Sequence, residues 1–249
     1  IRDFDIAKTP PTIDFSIVTG LEPEYLTYDL ARKTGGAWGG WGDVTKGPDG
    51  AFYYSLSNHL SYGAETYILK YDPKTKRQSF AISAKKLIGW LDDDFGDGKI
   101  HGDIDFDDKG DTWMLTYFGP SPSKEEWNTV YRGSWLIHYN ATTGRAENLG
   151  IPLEGASWPY HNYDGKRNTF YGVDHTGNTV IVYDTKERRM VYGGAPSDGI
   201  RWYARCILVD KDTGLVYTTD TASKDKPFVR YTRRNNEFEI GRASCRERV

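Results

Sequence analysis

The stretch Gly98–Gly119, GKIHGDIDFDDKGDTWMLTYFG, has the layout of a β-hairpin. Ile104 and Phe106 alternate with aspartates, which is the period-two pattern of a strand with one apolar side. A tight turn is predicted at Asp108-Lys109-Gly110, and a second strand then ends in Thr116-Tyr117. The stretch therefore predicts two antiparallel strands joined by a short turn.

The same layout recurs along the chain. Each copy has an inner strand, a turn with Gly or Asn, an aromatic residue three positions later, a strand that closes on Tyr, and a last strand. The closing tyrosines are 68, 44 and 48 residues apart: Tyr71, Tyr139, Tyr183 and Tyr231. Four strands need about 40 to 50 residues, the period typical of a propeller blade. The longest interval accommodates two turn-rich insertions, 85–98 and 120–128, which we predict to be loops on one face.

We therefore predict an all-β fold, a fragment of a β-propeller with about four four-stranded blades. A β-sandwich would also give short alternating strands, but it would not repeat one local motif. The parent is expected to have six to eight blades, with seven favoured. The expected division is a lead-in or blade remnant at 1–34, blades at about 37–84, 98–151, 155–194 and 200–240, and a translated sequencing adapter at 241–249.

Composition argues against some partners. The chain of 249 residues has a formal net charge of −3, and without its last nine residues it has 29 basic and 34 acidic residues. A mildly acidic chain is not typical of a nucleic-acid-binding protein. It has no run of 18 apolar residues, so the sequence predicts no membrane-spanning helix. Cys206 lies on an apolar strand, where we expect a small core residue.

Repeat geometry predicts which side chains meet. The first strand of each propeller blade lines the central channel. The segment Trp41–Val44 aligns without a gap with His101–Ile104, and Arg205 takes the position of His101 in the fourth copy. The third copy brings Trp158, Tyr160 and His161 near that level. Such a ring suits an anionic sugar, because Arg pairs a carboxylate, aromatic rings stack on a sugar face and His exchanges a proton.

Several motifs resemble one group of propellers. They are Gly98-Lys99-Ile100-His101, the Asp/Gly turn and aromatic residue that lead to Thr116-Tyr117, the segment 147–152 (ENLGIP), and Arg205 at the start of an inner strand. Together they are similar to the propeller-type polysaccharide lyases, such as ulvan lyases and oligogalacturonate lyases, over roughly residues 37–240. The resemblance implies a catalytic role for His101 and carboxylate neutralisation by Arg205. Where that family has a second His, this chain has Tyr117.

These observations lead to a functional hypothesis, β-elimination on a uronate-containing glycan. His101 would be the base, Arg205 would neutralise the carboxylate, and Tyr117 or Tyr160 would protonate the leaving oxygen. Expected substrate-binding residues are Trp41, His59, Trp158, Tyr160 and His161. One alternative is a non-catalytic propeller that binds carbohydrate or protein. Another is a metal-dependent lactonase or esterase, which would need Glu and Asn ligands where the inner strands offer Asp43 and Asp103.

Expectations for cofactors and partners follow from the same residues. The aspartates between Asp92 and Asp108 suggest calcium, but apolar residues alternate through them and no Glu occupies EF-hand spacing. We therefore expect no cofactor, with a structural Ca²⁺ as the alternative. The expected partner is an acidic oligo- or polysaccharide, without nucleic acid or membrane, and a protein partner is left open. A secreted or periplasmic location would follow only if the lyase hypothesis holds.

Overall fold

The structure, a computed structural model, describes Thr9 and residues 37–120, 123–196, 199–234 and 237–242, the last eight of these by their backbone. The predicted lead-in over residues 1–34, apart from Thr9, and the end of the chain from 243 onward lie outside them.

Four consecutive segments each form a four-stranded antiparallel sheet. The first contains β1 (Thr45–Lys46), β2 (Phe52–Ser57), β3 (Thr66–Asp72) and β4 (Arg77–Ser83). The second contains β5 (Lys99–Ile100), β6 (Asp111–Tyr117), β7 (Leu136–Asn140) and β8 (Arg145–Asn148). The third contains β9 (Tyr160–Asp164), β10 (Thr169–Val173), β11 (Val180–Asp184) and β12 (Arg189–Gly194). The fourth contains β13 (Leu208–Val209), β14 (Val216–Thr219), β15 (Phe228–Arg234) and β16 (Glu237–Arg242).

Strand order within every sheet follows chain order, as in propeller blades. The sheets pack face to face in sequence through three apolar clusters. One cluster joins Tyr53 and Ile68 to Met114 and Ile137, the next joins Trp113 and Leu115 to Phe170 and Ile181, and the third joins Tyr171 and Val182 to Val216 and Tyr231. Because successive strand residues point to opposite faces, β6 sends Met114 to one neighbour and Trp113 to the other. The predicted all-β propeller fragment is confirmed.

The inner strand of the second blade differs from its prediction. β5 covers only two residues, and the alternating segment 103–107 forms no strand. Its two apolar residues still face the core, since Ile104 is 1 % exposed and Phe106 packs against the same apolar cluster, while Asp103 and Asp105 are partly exposed. The backbone N–H of Asp103 donates to the carbonyl of His161 at 3.4 Å, so here the chain contacts the next blade instead of β6. The alternation thus reported burial correctly, but not strand pairing.

Both predicted loops contain a short helix. Helix α1 (Ala84–Ile88) begins at Ser83, whose side chain accepts from the Lys86 N–H. Helix α2 (Lys124–Thr129) begins with a capping box formed by Ser123 and Glu126. These local caps explain how such short segments become helical inside an all-β fold. No helix in the described part of the chain is long and apolar enough to span a membrane.

Gly177 lies in the turn between β10 and β11 and packs the third blade against Trp202, which precedes β13 of the fourth. Its φ is +70°, its carbonyl accepts from the Trp202 N–H at 2.9 Å, and a Cβ would lie 1.9 Å from the Trp202 carbonyl oxygen. We expect Gly177→Ala to lower the free energy of unfolding by about 2–5 kcal/mol, through left-handed strain and overpacking together. Urea unfolding measures this change. Gly144→Ala is the control, since Gly144 has the same φ and nothing within 4 Å; equal losses in both variants would contradict the argument.

Candidate functional site

The inner edges of the blades meet closely enough to bring distant residues together. A Cβ on Gly102 would lie 2.4 Å from Nδ1 of His161 in the next blade. Only a glycine permits that approach, which sets the spacing of the second and third blades at the channel. The residues on either side of Gly102 are His101 and Asp103, and both contact side chains from other blades.

His101 and Arg205 meet although 104 positions separate them in the sequence. Arg205 Nη1 is 3.3 Å from His101 Nε2. A guanidinium group can only donate, so Nε2 accepts and the ring is neutral with its proton on Nδ1. Burial lowers the pKa of His101, and the positive charges of Arg205 and Lys99 lower it further. The geometry therefore places a neutral imidazole beside an exposed guanidinium group.

Tyr117 forms the wall beside this pair. Its ring centroid lies 6.4 Å from that of His101 in an edge-on arrangement, and the residue is 4 % exposed. Burial raises the pKa of the Tyr117 phenol, and the positive charge of Arg205 opposes this shift. The phenol therefore keeps its proton at neutral pH.

Lys99 completes the group and was not among the predicted site residues. Its ammonium nitrogen is 4.4 Å from the ring centroid of Tyr117 and 5.7 Å from those of Trp41 and Phe118. Burial, and then the charge of Arg205, lower the pKa of Lys99 to about 8. The available signal was its position two residues before His101, because alternate strand residues share a face. We call Lys99, His101, Tyr117 and Arg205 the Lys99–Arg205 cluster.

Trp41 and His59 close another side of the cluster. Their ring centroids are 4.6 Å apart, and Trp38 contacts both. Burial lowers the pKa of His59 to about 4, with a further contribution from the charge of Lys99. His59 is thus a neutral ring at physiological pH. Contact of Trp41 and His59 with a substrate stays a prediction.

Tyr160 belongs to a different network. Its hydroxyl donates to both carboxyl oxygens of Asp103, at 2.9 and 3.0 Å, and Asn162 Nδ2 donates to the same group at 2.9 Å. Burial raises the pKa of Asp103 to about 7, with an added contribution from neighbouring Asp43. Of the two tyrosines proposed as the acid, Tyr117 therefore lies in the Lys99–Arg205 cluster, and Tyr160 is held by Asp103.

The structure corrects the predicted substrate contacts of two residues. Trp158 and His161 are both 0 % exposed. Trp158 packs in the apolar cluster between the second and third blades. His161 Nδ1 accepts from the Leu115 N–H at 3.4 Å, and burial lowers the pKa of His161 to about 3. Neither side chain can reach a ligand, because repeat alignment locates a residue along a strand without showing which side of it faces the channel.

The acidic run is used locally. Asp107 accepts from the N–H groups of Lys109 and Asp111, and Asp92 pairs with Lys85. Within the described ranges, no three His, Cys, Asp or Glu side chains are arranged to hold a metal ion. Cys206 is partly exposed and not the core residue that its apolar neighbours suggested.

Comparison with known proteins adds information about the fold. No protein-family model and no curated protein matches the sequence. A structure from Sulfolobus tokodaii, described as a hypothetical selenium-binding protein, is similar with a TM-score of 0.51 and 7% identity, over 77% of this chain and 44% of that one. At that identity the likeness shows the fold alone.

Two further solved structures are similar at lower TM-scores. A Bacteroides thetaiotaomicron protein of unknown function has a TM-score of 0.46 and 12% identity, over 80% of this chain and 42% of its own. The β-propeller domain of a Pyrococcus furiosus protease has a TM-score of 0.48 and 12% identity, over 82% and 57%. The chain therefore spans roughly half the length of these three structures.

Proposed function

We propose that this propeller cleaves uronate-containing glycans by β-elimination at the Lys99–Arg205 cluster. The contact between His101 and Arg205, 3.3 Å apart and beside Tyr117, carries the proposal. It joins a neutral base, a cation and a protonated phenol in one place, which are the three groups that this reaction needs. The partner would be an acidic oligo- or polysaccharide, and no step calls for a cofactor.

The reaction begins with the uronate carboxylate. Arg205 pairs with it, and neutralising that charge makes the C–H bond at C5 of the sugar more acidic. The guanidinium group then no longer donates a hydrogen bond to Nε2 of His101, so the imidazole becomes free to accept the C5 proton. Arg205 would in this way couple substrate binding to activation of the base.

Bond breaking follows at C4. The electron pair of the C5–H bond forms the C4=C5 double bond as the C4–O bond breaks. The Tyr117 hydroxyl donates its proton to the departing glycosidic oxygen, and the C5 proton on His101 then returns through solvent to the Tyr117 phenolate, which restores both groups. The products are an unsaturated uronate and a shortened glycan. The shifted pKa values fit these roles, since a base must start neutral and an acid must start protonated.

The test is incubation of the protein with a panel of uronate glycans, followed by ultraviolet absorbance of the conjugated product. We expect absorbance to rise with a uronate polymer and to stay flat with a neutral glucan. Arg205→Gln should abolish the rise, while Lys74→Gln, in an exposed turn, should leave it unchanged. Folded protein that makes no unsaturated product from any member of the panel would rule out the reaction. Binding without product would favour the non-catalytic alternative.

A further inference from the structure

We propose that Lys99 is a second anion-binding residue, which holds an acidic group of the ligand against the ring of Tyr117 and takes up a proton as the ligand binds. This inference rests on the proposed function only for the choice of a uronate as the probe. It concerns binding, so it stands or falls independently of the elimination step.

The first observation is that Lys99 is a buried cation surrounded by rings. Only 8 % of the residue is exposed, and its ammonium group lies over Tyr117, with Trp41 and Phe118 on other sides. No carboxylate or carbonyl of the described residues accepts a hydrogen bond from the ammonium group of Lys99. Burying an ammonium group is costly unless a partner compensates, and rings alone replace little of the lost hydration. A bound anion would supply the missing compensation.

Other lysines of this chain show the ordinary arrangement. Lys211 donates to Asp105 and Asn162, each at 3.0 Å, and to the Tyr163 carbonyl. Lys70 pairs with Asp49 at 2.6 Å. Each is more exposed than Lys99 and nevertheless contacts a carboxylate. The surroundings of Lys99 therefore differ from those of a lysine whose role is to stabilise the fold.

The charges around Lys99 favour an incoming anion. Arg205 is cationic, while His59 and His101 are neutral rings with lowered pKa values. Asp97, two residues before Lys99, is fully buried and is occupied by hydrogen bonds from Thr116 and Tyr131. The titratable and charged groups near Lys99 in the described structure are His59, Asp97, His101, Tyr117 and Arg205, with Asp43 acting on the far side of His101.

Proton uptake follows from linkage. Without a ligand, burial and Arg205 hold the pKa of Lys99 at about 8. An anion beside the ammonium group stabilises its charged form and raises that pKa. Above pH 8 the free site has lost the proton that the bound site keeps, so binding takes up a proton and affinity falls as pH rises.

The experiment is calorimetry with a trimer of galacturonate in the His101→Asn background, where turnover does not interfere. Titrations at about pH 7 and pH 9.5, in buffers of different ionisation enthalpy, give both the Kd and the number of protons taken up. We expect Kd to rise about 10- to 30-fold between the two pH values, with proton uptake near one at the higher pH.

Three further variants decide the role of the amine. Lys99→Met should weaken binding about 10- to 100-fold at pH 7 and remove the pH dependence. Lys99→Arg should bind well at both pH values, because a guanidinium group does not lose its proton. Lys74→Met, in the exposed turn, should behave as its parent.

Three results would overturn the inference. The first is unchanged affinity in Lys99→Met, and the second is a pH dependence that survives in Lys99→Arg. The third is failure of the folded parent to bind the trimer. A purely structural Lys99 would lower stability when substituted, without changing proton uptake. If Lys99→Met does not fold, the pH dependence of the parent and of Lys99→Arg still gives the answer. Loss of elimination with intact binding would contradict only the proposed reaction and not the role of Lys99.

Discussion

Replacing His101 with Asn is expected to lower kcat for elimination by about 10²- to 10⁴-fold, the usual contribution of a general base. The amide can still accept a hydrogen bond from Arg205, so the neighbouring guanidinium group keeps a partner. It cannot take the C5 proton. Initial rates at saturating uronate glycan, followed by product absorbance, measure the loss.

His138→Asn is the matched control for this prediction. His138 lies on β7, where its Nε2 is 2.8 Å from Asp111 Oδ1, away from the Lys99–Arg205 cluster. That variant should keep its kcat. If both variants lost activity equally, the effect would come from folding, and if neither lost activity, His101 would not be the base.

The pH profile gives a second readout of His101. Because the pKa of His101 lies below its ordinary 6.5, the neutral base is already present at mildly acidic pH. We expect kcat/KM to fall as pH drops through that lowered pKa, and to be flat just above it. In His101→Asn this acid limb should disappear. An acid limb that stays unchanged in the variant would assign the titration to another group.

Tyr117→Phe is expected to lower kcat by about 10²- to 10⁴-fold on a natural glycan, where the leaving alkoxide needs a proton. The ring remains, so Lys99 keeps its contact with the aromatic face at 4.4 Å. The loss should nearly vanish on a uronate that carries nitrophenolate at C4, because that group leaves without protonation. Comparing the two substrates by stopped absorbance assays separates the loss of acid catalysis from a distortion of the site.

Tyr160→Phe is the control for Tyr117. It also removes one hydroxyl, but that hydroxyl donates to Asp103 outside the Lys99–Arg205 cluster. We expect a small change in kcat and the same change on both substrates. A larger loss in Tyr160→Phe than in Tyr117→Phe would exchange their assigned roles.

Some of the site could be predicted from the repeat alone. Aligning the inner strands of the four copies placed Arg205 at the level of His101, and Arg205 Nη1 lies 3.3 Å from His101 Nε2. The prediction succeeded because blades of one architecture present equivalent positions to one axis. It was weakest for the third blade, where Trp158 and His161 are buried in contacts between blades.

Lys99 shows what the pattern could not supply. A lysine on a short inner strand is ordinarily expected to reach solvent with its charged end. Here the side chain is covered by Trp41 from the first blade and Tyr117 from its own. Its burial and its lowered pKa depend on the packing of residues that are distant along the chain.

The sequence by itself determined most of the strands, the turns between them and the recurrence of four similar units, because alternation and turn chemistry act between neighbours in the chain. It also placed His101 and Arg205 at the same level of the channel. Only the tertiary structure decided which side chains are exposed, which contact one another, and which are buried away from water. Those properties depend on how one blade packs against the next, and the free energy of a buried charge is set by that environment.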